Sequence, residues 1–195
     1  MIAGIILAAG ASSRMGSPKA LLDYQGETFI SRLVRVLSTV CDPVIVVLGY
    51  HAEQIAHEIG TKAHIVVNPA PERGQLSSLQ TGLAAASPGA EGILFLPVDC
   101  PTVAEGTVQR LALRFSQRQP EVQFVIPQFE GKHGHPVCFV RKLGDDILAL
   151  PPTGQARDVV HAHIAHTEYI DVDDPGILRD VDDPEAYRKI LRPIP

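Results

Sequence analysis

Cysteine is scarce in this 195-residue chain: only Cys41, Cys100 and Cys138 occur, an odd number at wide spacings. That argues against a disulfide framework, and no metal-site spacing appears among them. They are expected to be small buried hydrophobes in a reducing cytosol. A basic surplus is also missing. The formal net charge is −5, which argues against wholesale binding to a nucleic-acid backbone, because that needs a basic face. Long apolar runs are missing too. The opening MIAGIILAAG is too short to span a bilayer and lacks the charged start of a secretion signal. It reads as a buried strand, and the expected location is the cytoplasm, with no membrane partner. What is present is a globular composition, 45% apolar and 20% charged, in a length suited to one domain.

Short apolar runs alternate with helical patterns. IAGIILAA (2–9), PVIVVLG (43–49), HIVVN (64–68) and GILFLPVD (92–99) read as strands. Helices are expected over 28–40, 51–60, 76–86 and most of 103–119. In the first of these, Phe29, Leu33, Val36, Leu37 and Val40 recur on one side. Strands that are apolar on both faces, each followed by a helix, predict a parallel sheet covered on both sides with right-handed crossovers. Beyond residue 120 the pattern loosens. Strands are expected over 123–129 and 135–140 around a turn, EGKHG, with helical stretches near 141–150 and 155–163. A short strand lies within 166–176, and a final helix over 182–191 can be capped by Asp182 or Asp183. No repeat, low-complexity segment or linker interrupts residues 1–195. The expectation is one three-layer α/β/α domain with a mostly parallel sheet. Nucleotide binding would fall in about 1–119, and acceptor and second-metal functions in about 120–195.

One further absence is local. No acidic residue precedes Asp23, and the stretch LAAGASSRMGSPKALL (7–22) holds only Arg14 and Lys19 as charges. It follows a buried strand, where open α/β sheets bind ligands. Small residues let backbone N–H groups approach phosphate oxygens. Arg14 offers a planar fork and Lys19 a point charge. The stretch is neither GxxxxGK[ST] nor GxGxxG, since Lys19 stands three residues after Gly16 and is followed by Ala20. A phosphate-bearing ligand and a different phosphate-binding family are implied.

The stretch resembles the signature LAAGxSxRMGxxKxLL of nucleotidyltransferases with a Rossmann-like, GT-A-type fold. Within that group the chain is similar to the molybdenum cofactor cytidylyltransferases, the MobA-like NTP transferases. RGQLSSLQTGL (73–83), LPVDCP (96–101), GHP (134–136) and DVDDPEAY (180–187) extend the resemblance over almost the whole length. It implies CMP transfer from CTP to the phosphate of molybdopterin, with pyrophosphate released and a molybdenum hydroxylase as the expected client. Leu7, Ala8, Ala9, Gly10, Arg14 and Lys19 would bind the triphosphate, Arg14 and Lys19 catalytically. Gln75, Ser77, Ser78 and Gln80 would contact base or ribose. The LAAG form favours CTP, because guanylyl relatives usually carry LAGG. Lys132, His133, Gly134 and His135 would face the acceptor.

Asp99 ends a strand at the sheet's carboxyl edge, and the resemblance makes it the central ligand for Mg²⁺, with Mn²⁺ as the alternative. Such a cation is commonly held by one or two carboxylates plus substrate phosphates. The acidic run Glu168, Asp171, Asp173, Asp174, Asp180, Asp182, Asp183 and Glu185 would supply the second. Match to a DxDTPED-like motif points to Asp180, with Asp182 next. A phosphate monoester acceptor is already ionised, so no side-chain base is required. Two rival readings keep other roles open. One is transfer to a sugar phosphate, phosphoalcohol or phospholactate; the other is a nucleotide-binding chaperone that delivers cofactor. A glycosyltransferase would more often show a DxD pair, and PVDCP has one aspartate.

Overall fold

The computed structural model describes residues 1–192. In chain order the elements begin with β1 (Ile2–Ala8), a hairpin of β2 (Asp23–Tyr24) and β3 (Glu27–Thr28), and α1 (Phe29–Leu37). Then come β4 (Val44–Leu48), α2 (Ala52–Ile59), β5 (His64–Val67), α3 (Gln75–Ala85), β6 (Gly92–Pro97) and α4 (Glu105–Ser116). The second part holds β7 (Phe124–Phe129), β8 (Lys132–His133), β9 (Val137–Val140), α5 (Leu143–Leu148), α6 (Ala156–Ala162), β10 (Thr167–Asp171) and α7 (Pro184–Leu191).

β1, β4 and β6 are apolar on both faces and lie in the middle of one sheet, ordered β10-β7-β9-β6-β1-β4-β5, with β8 paired on β7. β1 runs parallel to β4 and β6, β4 to β5, and β10 to β7. Only β8 and β9 run against their neighbours. Alternate side chains feed two cores. Ile6, Ala8, Val46, Leu94 and Leu96 pack with α1, α2 and α4 on one face. Ile5, Leu7, Val47, Ile93 and Phe95 pack with α3, α5 and α6 on the other. This is the expected α/β/α domain with its mostly parallel sheet. Among the described residues no helix is long and apolar enough to cross a membrane.

Local chemistry explains the differences from expectation. α1 stops at Leu37, not residue 40, because Ser38 and Thr39 hydroxyls donate back to the carbonyls of Val34 and Val36. The expected EGKHG turn is tighter than its composition suggests. Glu130 and Gly131 adopt positive φ, and Lys132 and His133 return as β8 along β7.

Two features of the topology position the site. The chain leaves β1 for β4 and β5, then returns to place β6 on the other side of β1. The order reverses there, which opens a crevice at the carboxyl ends of β1 and β6. β9 then inserts antiparallel beside β6, with Val137 opposite Phe95. Its start, preceded by Gly134 and His135, therefore lies at the same end of the sheet.

Candidate active site

Ser12 organises the loop that leaves β1. It sits at φ 51°, its carbonyl accepts from Met15 N at 2.9 Å, and its hydroxyl accepts from Lys19 N at 3.0 Å. Gly16 turns the chain at φ 71°, a conformation that glycine adopts without strain. The loop thus folds back on itself and delivers Lys19 into the crevice, where its side chain is only 13% exposed. Lys19 Nζ lies 2.7 Å from Asp182 Oδ1 and 3.8 Å from Asp99 Oδ2. Arg14 stays two-thirds exposed at the rim, 3.4 Å from the same Asp182 oxygen.

Asp99 follows β6 across the crevice. Its carbonyl accepts from Val181 N at 2.7 Å, so this one backbone bond docks the C-terminal acidic segment against the end of the strand. Asp180 arrives on one side of that bond and Asp182 on the other. One oxygen from each of Asp99 and Asp180 and the Cys100 sulfur lie within 4.8 Å of one another. The Cys100 thiol donates to Asp180 Oδ1 at 3.1 Å. Burial pushes the Asp99 carboxyl above its ordinary pKa; Lys19 opposes this, and Asp180 and Asp182 add to it. The Lys19 hydrogen bond holds Asp182 below its ordinary value. Cys100 is driven far up by burial and by the two carboxylates, so it is a neutral thiol.

Arg14, Lys19, Asp99 and Asp182 edge a cavity of about 250 Å³, while Asp180 and Cys100 stand beside Asp99 outside its lining. Leu7, Ala8, Ala9, Gly10, Arg14, Lys19 and Asp99 line it, together with Gln75 and Ser78 at the start of α3. Asn68 holds that start in place. It is buried, it accepts from Ala70 N and from the Ser77 hydroxyl, and its amide donates to Ser78 Oγ. Ser77 is therefore spent on Asn68 behind the wall. Gln80 corrects the expectation more fully. Its amide donates to the carbonyls of Ile147 and Leu150 at 3.0 and 3.1 Å, tying α3 to the end of α5, and it does not line the cavity.

The residues expected at the acceptor divide. Lys132 and His133 lie on exposed β8, where the His133 ring stacks on Tyr169 at 3.8 Å, and they line neither this cavity nor its neighbour. Gly134 has a packing reason to be glycine, since a Cβ would sit 2.1 Å from the Ile177 carbonyl oxygen. His135 alone reaches a cavity, the one next door, and burial lowers its pKa.

The acidic run sorts in the same way. Asp174 is buried and accepts from Ala104 N and the Thr107 hydroxyl, capping α4 from a distance. Glu168 pairs with Arg114, Asp171 accepts from Gln128, Asp183 caps α7, and Glu185 pairs with Lys189. Only Asp180 and Asp182 meet Asp99. Sequence reading missed Ser12 and Asn68, which carry no catalytic signature, and read Cys100 only as a hydrophobe.

Two carboxylates from separate segments, beside one buried ammonium, suit a hard divalent cation shared with phosphate oxygens. The geometry can hold a metal-bound polyphosphate, with α3 over its other end. Residues 4–167 match the MobA-like NTP transferase domain family. A Bacillus cytotoxicus protein named as a probable molybdenum cofactor guanylyltransferase is 32% identical over 134 residues, 67% of this chain. That match spans 64% of the relative's own length. Among solved structures, Rv0371c of Mycobacterium tuberculosis superposes with a TM-score of 0.85 at 30% identity, covering 97% of this chain and 96% of that one. A second structure of Rv0371c is a complex with manganese, with a TM-score of 0.76 at 26% identity, covering 99% of both chains. A nucleotidyl transferase from Methanothermobacter gives 0.82 at 25% identity, covering 98% and 96%. The family match runs from β1 to the start of β10 and takes in the β1 loop, Asp99 and α3, though not Asp180 or Asp182, so this chain belongs to the MobA-like NTP transferase domain family.

Proposed function

We propose that this chain is a nucleotidyltransferase that moves CMP from CTP to the phosphate of the molybdenum cofactor and releases pyrophosphate. The observation that carries the reading is the meeting of Lys19, Arg14, Asp99 and Asp180 at one crevice. Asp182 pairs with Lys19 and lies within reach of Arg14. Triphosphate oxygens would take its place on Lys19 and Arg14, with the small-residue loop close enough to offer backbone N–H groups. Asp99 and Asp180 would hold Mg²⁺, or Mn²⁺ as in the complex of the mycobacterial relative; when bound, the cation neutralises the triphosphate and polarises its α-phosphate. The acceptor phosphate then attacks the α-phosphorus and pyrophosphate leaves. The chain's own contribution is positioning and charge stabilisation, as in phosphoryl transfer generally.

Ala9 favours CTP. Its methyl stands where the guanylyl form has glycine, packed near Gly49, whose own Cβ would lie 3.0 Å from it. The name of the Bacillus relative favours a second reading, with GTP as donor. Pyrophosphate release from each ribonucleoside triphosphate, with Mg²⁺ and molybdenum cofactor, decides between them. CTP alone is expected to support release, and Asp99→Ala to abolish it. Release with GTP would replace the base assignment. No release with any triphosphate would overturn transfer to this acceptor and favour the cofactor-delivery role.

A further inference from the structure

Lys19 does not stand alone in the crevice. Its side chain is only 13% exposed, and an ammonium taken so far out of water needs a partner. Asp99 Oδ2, at 3.8 Å, is beyond hydrogen-bond reach. Asp182 supplies the bond instead, with its Oδ1 at 2.7 Å from Lys19 Nζ. Arg14 Nη2 lies 3.4 Å from the same oxygen. Both cations of the β1 loop therefore converge on one carboxylate oxygen, and Asp182 lines the cavity beside them.

The neighbours of Asp182 in the chain hold it there. Val181 N donates to the Asp99 carbonyl at 2.7 Å. On the other side the Asp183 carboxylate accepts from Glu185 N and Ala186 N at the start of α7. The backbone between these two anchors has little freedom. The side chain of Asp182 is nevertheless 46% exposed, so its carboxylate can turn outward to water when a ligand takes Lys19.

We propose that Asp182 is a selectivity residue: by holding Lys19 and standing within reach of Arg14, it makes the crevice refuse phosphate chains that arrive without a divalent cation. This role rests on the nucleotidyl-transfer reading and adds to it how the site tells metal-bound from free triphosphate. With Asp99 and Asp180 close by, three carboxylates face two cations. A metal-free polyphosphate has to displace Asp182 and then meets the other carboxylates with no countercharge between them, and like charges so near repel. A metal-bound chain brings that countercharge with it. The exchange at Lys19 is then between two charge-assisted bonds of similar strength. Asparagine at this position keeps the size and an oxygen for Lys19 and removes only the charge.

The probe is inorganic tripolyphosphate, which carries no base, titrated calorimetrically in EDTA and in Mg²⁺. In EDTA, Asp182→Asn is expected to bind it about fivefold or more tightly than wild type, the worth of one charged hydrogen bond discounted for a half-exposed carboxylate. In Mg²⁺ the two proteins are expected to agree within about twofold, so the preference for the metal-bound chain narrows. Asp182 is half-exposed, so the substitution leaves both cores intact. Glu185→Gln removes a charge from the same segment, at the exposed pair with Lys189, and is expected to match wild type in both buffers. Unchanged or weaker binding by Asp182→Asn in EDTA would overturn the role, as would an equal gain in both buffers or the same gain in Glu185→Gln. Weaker binding of the Mg²⁺ complex would make Asp182 a ligand for the cation and would also overturn it. A narrowed preference without pyrophosphate release from any triphosphate would sustain the role and overturn the transfer reading. Release with an unchanged preference would do the reverse.

Discussion

Asp99 and Asp182 sit within reach of one lysine and titrate in opposite directions. Asp182 is held low by Lys19, so its ionised form adds stability above the ordinary aspartate pKa and loses that contribution as pH falls through the lowered value. Asp99 is raised by burial, so it holds its proton more tightly folded than unfolded. Its ionised form therefore costs stability, and the cost grows as pH rises from the unfolded pKa through the raised folded one. Asp99→Asn removes that buried charge and leaves Lys19 its 2.7 Å partner, Asp182. In EDTA at neutral pH the variant is expected to melt about 2 °C or more above wild type, the size of a change near 1 kcal/mol in a chain of this length. The gap is expected to close as pH falls through the raised folded pKa to the ordinary aspartate value, as the wild-type carboxyl takes up its proton. Thermal melts across that range check it; a lower melting temperature at pH 7 would show that Asp99 is held mainly by its attraction to Lys19.

α3 is the element that brings the two cavities together, and Gly82 sets how closely it rides on the sheet. A Cβ at Gly82 would meet Ile5 Cγ2 at 2.6 Å and Val47 Cγ2 at 3.0 Å. Both neighbours are fully buried and β-branched, so neither can swing aside cheaply. Alanine would gain about 1 kcal/mol in helix propensity, against an overpacking cost of about 1–3 kcal/mol. Overpacking is expected to win. Gly82→Ala should lower the urea midpoint by the equivalent of about 1 kcal/mol while far-ultraviolet circular dichroism keeps its helical signal. A higher midpoint would mean that α3 lifts without loss. The same close approach holds Gln75 and Ser78 over the crevice, and Asn68 pins them there.

Across the whole molecule the acidic segment after β10 acts as a strap. It is fastened at Asp174 to the start of α4, at Ile177 to His135, and at Val181 to Asp99. A metal-bound triphosphate would join the strap to the β1 loop through Asp180 and Lys19, so binding stabilises the fold as a unit. At a ligand concentration of about 100 times Kd the linkage is worth about 2.7 kcal/mol, which is a rise of about 5–10 °C in Tm for a chain of this size. CTP with Mg²⁺ is expected to give such a rise in scanning fluorimetry. Asp99→Ala is expected to lose the metal-dependent part, and an undiminished shift in that variant would place the cation elsewhere.

The sequence alone determined the sheet, its helical cover and the small-residue loop with its two cations, because each depends on neighbours in the chain. Apolar runs such as VIVVL (44–48) have little choice but burial, and Gly10, Arg14 and Lys19 carry their chemistry at short spacing. Only the tertiary structure decided which acidic residues reach Asp99. Asp174 and Asp180 look alike in the chain, yet one caps α4 and the other stands beside Asp99. That outcome rests on the Val181–Asp99 backbone bond across the sheet edge. Gln80 and Gln75 likewise share one helix, and only the packing of α5 turns the first away from the cavity and leaves the second at the junction of two. Long-range register is set by the summed burial of both cores, which no local pattern contains.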